Sequence, residues 1–248
     1  MGLNQEYDTY WEQRGRHDGE QTTNVSRLTE PWHITAAGML PDLAALRVLE
    51  VGCGPGKFAL WMGEKAPRAS ITAIDLSQMA IAQARQKTTL ATHAVNFAIC
   101  DGEAMCLESE AFDLVISCEC LEHVPHPEKM AREIHRVLTP GGRFILTTEN
   151  YFNGMVLAWI RSWLAGVPYN SGSGVQPYEH FFIFWRVKRM LEKCDLVVDK
   201  MDSNHFQWML LPRVAPAKLC TQDFESKFLK KLFRPFGRHF TFSGFRPE

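Results

Sequence analysis

Short apolar runs alternate with longer segments of helical pattern along the first part of the chain. Runs rich in β-branched residues that read as buried strands occupy residues 46–51, 71–75, 95–100, 112–118 and 143–148. Because helical segments separate them, the pattern predicts an α/β fold with a mostly parallel sheet flanked by helices.

The pattern continues beyond the fifth run with elements of mixed kind. Residues 181–193 have the period of an amphipathic helix, and residues 196–198 and 206–211 read as the last strands. The apolar run 154–164 is shorter than the roughly 20 residues that a bilayer requires. It is therefore predicted as an inserted helix, next to a flexible Ser-Gly loop at 171–174 that would suit a lid.

The first strand ends in a glycine-rich turn, Glu50-Val51-Gly52-Cys53-Gly54-Pro55-Gly56. Glycines allow such a turn to be tight and to approach a ligand closely. A helix beginning near Lys57 would direct its free N–H groups at an anionic group. A dinucleotide fingerprint needs its third glycine at the position of Lys57, so the turn argues against a nicotinamide dehydrogenase.

Acidic residues follow the next two strands. Asp75 ends the second run, 19 positions beyond Gly56, near the spacing of about 20 expected for a carboxylate that binds ribose hydroxyls. Taken alone, Asp75 could equally be a turn residue at the end of a strand. Asp101, Gly102 and Glu103 follow the third run.

These motifs together resemble the class I S-adenosylmethionine-dependent methyltransferases, whose first motif is written E/D-x-G-x-G-x-G. An F-D-x-V strand at 112–115 and an L-x-P-G-G turn before the fifth strand strengthen the resemblance, which is dense over residues 46–148. It implies a Rossmann-like, mostly parallel seven-stranded sheet flanked by helices, and S-adenosyl-L-methionine as cofactor. An acid at the place of Asp101 contacts the adenine amino group in this family. The implied cofactor-binding residues are Glu50, Gly52, Cys53, Gly54, Gly56, Asp75, Leu76, Asp101, Gly102, Glu103 and Cys118.

The pattern E-x-x-E-H-V at 119–124 follows the fourth strand and looks like that of the ubiquinone-biosynthesis O-methyltransferases. On a helical turn, Glu119, Glu122 and His123 would share one face. A similar pattern in small-RNA 2′-O-methyltransferases binds a divalent cation with a later histidine, and His180 stands at a comparable place here.

Two roles for these four residues therefore remain open. They are candidate ligands for Mg²⁺ or another divalent cation. Many relatives carry the same Glu-His pair without a metal. There the pair shapes the pocket, and the histidine acts as a base or only as a hydrogen-bonding core residue. His123 and His180 are accordingly the candidate catalytic residues.

The expected activity is methylation of a hydroxyl on a small, partly apolar acceptor, because a hydroxyl needs a base and the histidines can supply one. Alternatives are a lipid-linked or sugar acceptor of a cell-envelope or natural-product pathway, and N- or C-methylation. A cofactor-fold binding protein without catalysis should show a damaged glycine loop or lack Asp75, and neither is seen. The acceptor itself is not named by the sequence.

Composition narrows partners and compartment. The chain of 248 residues is 46% hydrophobic and 22% charged, as in ordinary soluble globular proteins. A net charge of −1 gives no general attraction to nucleic acid. Seven cysteines form no C-x-x-C pair, and no signal peptide is recognised at the N-terminus, so a reducing cytoplasm is expected. The oligomeric state stays open.

The predicted organisation has three parts. Residues 1–40 form a helical cap that lies over the cofactor or against the sheet edge. Residues 41–212 form the methyltransferase domain, with an acceptor-pocket insertion at about 151–180. Residues 213–248 form a basic amphipathic tail, with eight Lys or Arg against three acids and a net charge of +5. The tail suits peripheral membrane contact or a docked helix with its lysines in solvent.

Overall fold

The computed structural model describes residues 2–17, 27–88, 94–150, 163–164, 166, 177–180, 182–206, 228, 231, 235 and 237–248. In this part of the chain the strands are β1 (Arg47–Val51), β2 (Ser70–Asp75), β3 (Val95–Ile99), β4 (Phe112–Cys118), β5 (Leu138–Glu149), β6 (Val197–Phe206) and β7 (Gly237–Phe245). The helices are α1 (Leu3–His17), α2 (Pro31–Ala37), α3 (Lys57–Lys65), α4 (Gln78–Thr88), α5 (Pro127–Val137) and α6 (Phe184–Lys193).

The strands form one seven-stranded sheet in the order β3-β2-β1-β4-β5-β7-β6. The strands from β3 to β5 pair in parallel, with α3, α4 and α5 as crossovers. Strand β7 is antiparallel to both β5 and β6. The sheet is therefore mixed, which corrects the expectation of a mostly parallel sheet: β7 enters between two strands that run the other way.

The last strand is the main departure from the predicted organisation. Residues 237–245 belong to the segment that was expected to be a surface tail, yet they lie within the sheet. Phe240 and Phe242 are only 2% and 1% exposed and belong to the core. The sheet thus includes residues beyond 212, because β7 lies between β5 and β6.

Two predicted strands also change. Residues 197–206 form one continuous strand, and the remainder of the predicted strand 206–211 lies outside the described residues. The predicted insertion and the Ser-Gly loop fall almost wholly outside the described residues; of residues 154–164 only Trp163 and Leu164 are described, and both are exposed.

The sheet is covered on both faces. On one face Phe144 and Val115 pack with Ile134 of α5 and Leu191 of α6. On the other, Phe58 of α3 belongs to a second core cluster with residues of β1, β2 and α4. Strands covered on both faces need apolar side chains on both, which explains the uninterrupted apolar runs in the sequence. In the described part of the chain no helix has the length and apolar character needed to cross a bilayer.

Candidate functional site

The glycine-rich turn lies at the carboxyl end of β1, in the middle of the sheet. Gly52, Gly54 and Gly56 have φ angles of 73°, 50° and 75°, a left-handed region that favours glycine. A Cβ at Gly54 would lie 2.8 Å from the ring of Trp11, and one at Gly56 would lie 2.7 Å from Phe97. Both conformation and space therefore require glycine in this turn.

The N–H groups of the turn are used internally. The N–H of Gly52 donates to the carbonyl of Ile74 at 2.8 Å, and the N–H of Gly54 donates to Asp75 Oδ2 at 2.8 Å. The N–H of Gly56 donates to the carbonyl of Cys53 at 3.0 Å. These groups shape the loop, so an anionic ligand group needs another donor, such as the first turn of α3.

Two acids flank the turn. Asp75 accepts the N–H of Ser77 through Oδ1 at 2.9 Å and that of Gly54 through Oδ2; burial raises the pKa of Asp75, although these hydrogen bonds oppose the shift. Glu50 is 2% exposed, and burial raises its pKa to about 8 despite a hydrogen bond from the N–H of Ala59. Its Oε2 is buried without a hydrogen-bond partner among the described residues. Such an oxygen fits a positively charged ligand group.

The loop after β3 carries the other predicted cofactor residues. Asp101 is exposed, and its Oδ1 accepts the N–H of Glu103 at 2.8 Å. Glu103 in turn accepts the N–H of His126 at 2.6 Å. Gly102 lies close to Val51, at the end of β1. The loop thus lies beside the glycine turn with the Asp101 side chain open to solvent.

The remaining residues predicted to contact the cofactor lie at the carboxyl ends of β1, β2 and β4. Leu76 is half-buried beside Asp75, and Cys53 and Cys118 are buried. Burial raises the pKa of both thiols well above the usual value, so they stay protonated and contribute packing.

Helix α1 lies across the glycine turn. Its Trp11 packs on Gly54, and its Asp8 accepts hydrogen bonds from the hydroxyl of Ser77 at 2.6 Å and the N–H of Met79 at 2.9 Å. The Tyr7 hydroxyl donates to the carbonyl of His123. The sequence predicted that this segment lies over the cofactor or against the sheet edge, and it indicated no role for these side chains.

The residues after β4 do not share a helical face. Glu119 has a φ of +49°, and only Leu121–His123 form a single 3₁₀ turn. The expectation of one face is wrong, because the left-handed residue turns the chain before the helix begins. Glu122 is fully buried and accepts the hydroxyl of Thr148 at 2.8 Å.

The two predicted catalytic histidines each bind a backbone carbonyl. His123 Nδ1 lies 3.1 Å from the carbonyl of Tyr178, and His180 Nε2 lies 2.8 Å from that of Val124. A carbonyl only accepts, so each of these nitrogens carries a proton, and in the neutral tautomer the lone pair is on the other ring nitrogen. His123 Nε2 lies 3.9 Å from Glu122 Oε1. His180 stacks on Phe182, with 5.8 Å between ring centroids.

The four predicted metal ligands therefore do not converge. In the part of the chain that the structure describes, ligand atoms within 4.8 Å of one another belong instead to Glu119, Glu149 and His239. Glu119 Oε2 and His239 Nδ1 are 3.1 Å apart, and Glu119 Oε1 is buried without a partner among the described residues. We call these three residues the Glu-Glu-His cluster.

The cluster is partly buried, with His239 the most enclosed of the three, and it is rich in acids. Burial, reinforced by Glu149, raises the pKa of Glu119 to about 8. Burial likewise raises the pKa of Glu122 to about 7 and lowers that of His239 to about 4. Glu149 also pairs with Arg238 at 3.3 Å. The sequence did not indicate either Glu149 or His239. Glu149 is the last residue of β5, and His239 lies on β7, a strand that was not predicted.

The glycine turn, Asp75 and the residues after β4 lie within residues 49–146, which match the family described as a methyltransferase domain. The likeness of this chain to methyltransferases is therefore established over residues 49–146. A ubiquinone biosynthesis O-methyltransferase of Pseudomonas aeruginosa is 38% identical over 128 residues, which are 51% of this chain and 53% of that protein. A malonyl-[acyl-carrier protein] O-methyltransferase of Paenibacillus is 34% identical over 105 residues, 41% of this chain and 38% of that protein. The chain thus spans about half, or less, of the length of these curated relatives.

Solved structures extend the likeness beyond the methyltransferase domain. A phosphoethanolamine N-methyltransferase of Haemonchus contortus, in complex with S-adenosylhomocysteine, has a TM-score of 0.71 at 17% identity over 100% of this chain and 61% of that chain. A Thermotoga maritima methyltransferase described as a possible histamine N-methyltransferase has a TM-score of 0.66 at 16% identity over 99% and 100%. At such identities the likeness shows the fold alone, the Rossmann-like fold of methyltransferases.

Proposed function

We propose that this protein is an S-adenosylmethionine-dependent methyltransferase that methylates a hydroxyl of a small, partly apolar acceptor. The observation that carries the proposal is the glycine turn whose Gly54 N–H is bound by Asp75, together with the buried Glu50 Oε2, which has no hydrogen-bond partner among the described residues. The O-methyltransferase names of the curated relatives favour oxygen as the acceptor atom.

The residues around the turn suit the methyl donor. Bound at this site, the donor supplies a methyl group on a positively charged sulfonium. Asp75 keeps a lone pair on each carboxylate oxygen for the ribose hydroxyls. We assign Glu50 to the amino-acid end of the donor, where a bound ammonium group would lower its raised pKa and favour the carboxylate form. We assign the exposed Asp101 to the adenine amino group, whose N–H groups its carboxylate could accept.

On the acceptor side, His123 is the proposed base. Its Nδ1 proton is held by the carbonyl of Tyr178, so Nε2 has the lone pair that can take the proton of a hydroxyl. Tyr7 fixes the backbone of His123 from above. His180 uses Nε2 on the carbonyl of Val124, and we assign it to the wall of the acceptor pocket.

The Glu-Glu-His cluster supports a second form of the proposal, in which a divalent cation lowers the pKa of the acceptor hydroxyl. Two carboxylates and an imidazole suit Mg²⁺ or Mn²⁺, and Glu119 Oε1 has an unused lone pair. An activity abolished by chelator and restored by Mg²⁺ or Mn²⁺ would support this form. An activity that survives chelator would leave His123 as the base.

The nature of the acceptor atom is open to direct test. N-methylation is the main rival, since the solved structures named above include N-methyltransferases and buried carboxylates also suit an ammonium group. A panel of catechols, amines, lipid-linked phenols and sugars with labelled methyl donor separates these classes. Binding of S-adenosylhomocysteine by calorimetry checks the cofactor independently, and tight NADH binding without it would overturn the proposal.

A further inference from the structure

Two cysteines lie at the ends of the loop 100–106, which is the first part of the segment that connects β3 to β4. The sulfurs of Cys100 and Cys106 are 2.9 Å apart, and the N–H of Cys106 donates to Cys100 Sγ at 3.1 Å. A disulfide bond is about 2.05 Å long, so the sulfurs need to approach by only about 1 Å to reach bonding distance. Cys100 is 6% exposed, whereas Cys106 is exposed to solvent.

The protein holds both ends of this loop in place. The N–H of Cys100 donates to the carbonyl of Asp75 at 3.0 Å. Next to Cys106, the N–H of Met105 donates to Glu133 at 2.6 Å, and Arg136 donates to the carbonyl of Met105 at 2.9 Å. These hydrogen bonds therefore keep the two thiols close together in the folded protein.

We infer that Cys100 and Cys106 form a dithiol site that small disulfides such as oxidised glutathione convert to an intramolecular disulfide. Burial raises the pKa of Cys100 to about 11, so the exposed Cys106 is the first nucleophile. Its thiolate attacks one sulfur of the oxidant and releases one glutathione thiolate. Cys100 then loses its proton, attacks Cys106 Sγ and displaces the second glutathione, so two protein thiols are oxidised and one glutathione disulfide is reduced.

The ring closed by this bond contains Asp101, Gly102 and Glu103. Under the proposed function these residues contact the adenine, so the redox state of the site would set the mobility of a cofactor-binding loop. Formation of the disulfide itself does not depend on that function. A protein that fails to bind the methyl donor can still form the disulfide. The experiments therefore test the dithiol site and the proposed function independently.

The test is disulfide mapping on the full chain. The protein is incubated with oxidised glutathione, its free thiols are alkylated, and it is cleaved after glutamate. Cleavage after Glu103 separates Cys100 from Cys106, so only a bond between them keeps the two peptides together. We expect the linked pair, a mass lower by two hydrogens, and release by dithiothreitol.

Two variants decide the assignment. Cys106→Ser should abolish the linked peptides, whereas Cys194→Ser, at a thiol on the far end of α6, should retain them. The inference is overturned if wild-type Cys106 remains a stable mixed disulfide with glutathione, bonds elsewhere or stays reduced under these conditions.

Discussion

Replacement of Asp75 by asparagine tests the cofactor site at its centre. The carboxylate accepts the N–H of Ser77 at 2.9 Å and that of Gly54 at 2.8 Å, one on each oxygen. An amide has a single acceptor oxygen, so the NH₂ group of asparagine would face one of these N–H groups. The variant would also lose one of the two oxygens that accept the ribose hydroxyls. Hydrogen bonds to a charged group contribute about 1.5–3 kcal/mol. We therefore expect S-adenosylhomocysteine to bind about 10- to 150-fold more weakly.

The assay is calorimetric titration of S-adenosylhomocysteine, with thermal melting to show that each variant is folded. Asp113→Asn is the matched control, because it makes the same change at the start of β4, where Asp113 pairs with Arg47 at 2.8 Å. That control should bind within about twofold of wild type. A well-folded Asp75→Asn protein with wild-type affinity would refute the ribose assignment.

His123→Ala should lower the turnover rate by about 10²–10⁴ while affinity for S-adenosylhomocysteine is unchanged, and an unchanged rate would exclude it as the base. Because the pKa of Glu119 is raised to about 8, the folded protein binds this proton more tightly than the unfolded chain. The contribution of this group to stability should therefore fall as the pH rises from about 4.5 to about 8, and the fall should be smaller in Glu119→Gln, as measured by urea unfolding; parallel curves would contradict this. If the tail contacts anionic membranes, Lys230→Glu with Lys231→Glu should weaken vesicle binding at low salt; no binding by wild type would leave only a structural role.

Most of the parallel half of the fold could be predicted from the sequence. Its strands are covered on both faces, so each is an apolar run in the sequence. The turn before α3 requires glycines at positive φ, and their spacing in the sequence identifies it. Strand β7 was missed because it lies in a segment with a net charge of +5, where the basic residues suggested a surface element. The alternation of Phe240 and Phe242 with polar residues has the period of a strand and could have identified it.

The site was predictable where it depends on local sequence and not where it depends on distant contacts. Asp75 lies beside the glycine turn because β1 and β2 are neighbours, as the spacing implied. The position of Glu119 depends on a left-handed backbone conformation, which a glutamate in the sequence does not predict. Its partner His239 is 120 positions away, on a strand whose register only the folded sheet defines.

The insertion of β7 between β5 and β6 has a consequence for the order of folding. Among the described strands β6 pairs only with β7, so β6 cannot join the sheet before residues 237–245 have docked on β5. Contacts across such long sequence separations form late, because closing the chain costs entropy before they stabilise anything. The glycine turn, by contrast, is built from β1, β2 and α3, which are near one another in sequence. A folding chain should therefore form the half that contains the glycine turn first, and the Glu-Glu-His cluster should assemble only in the last step.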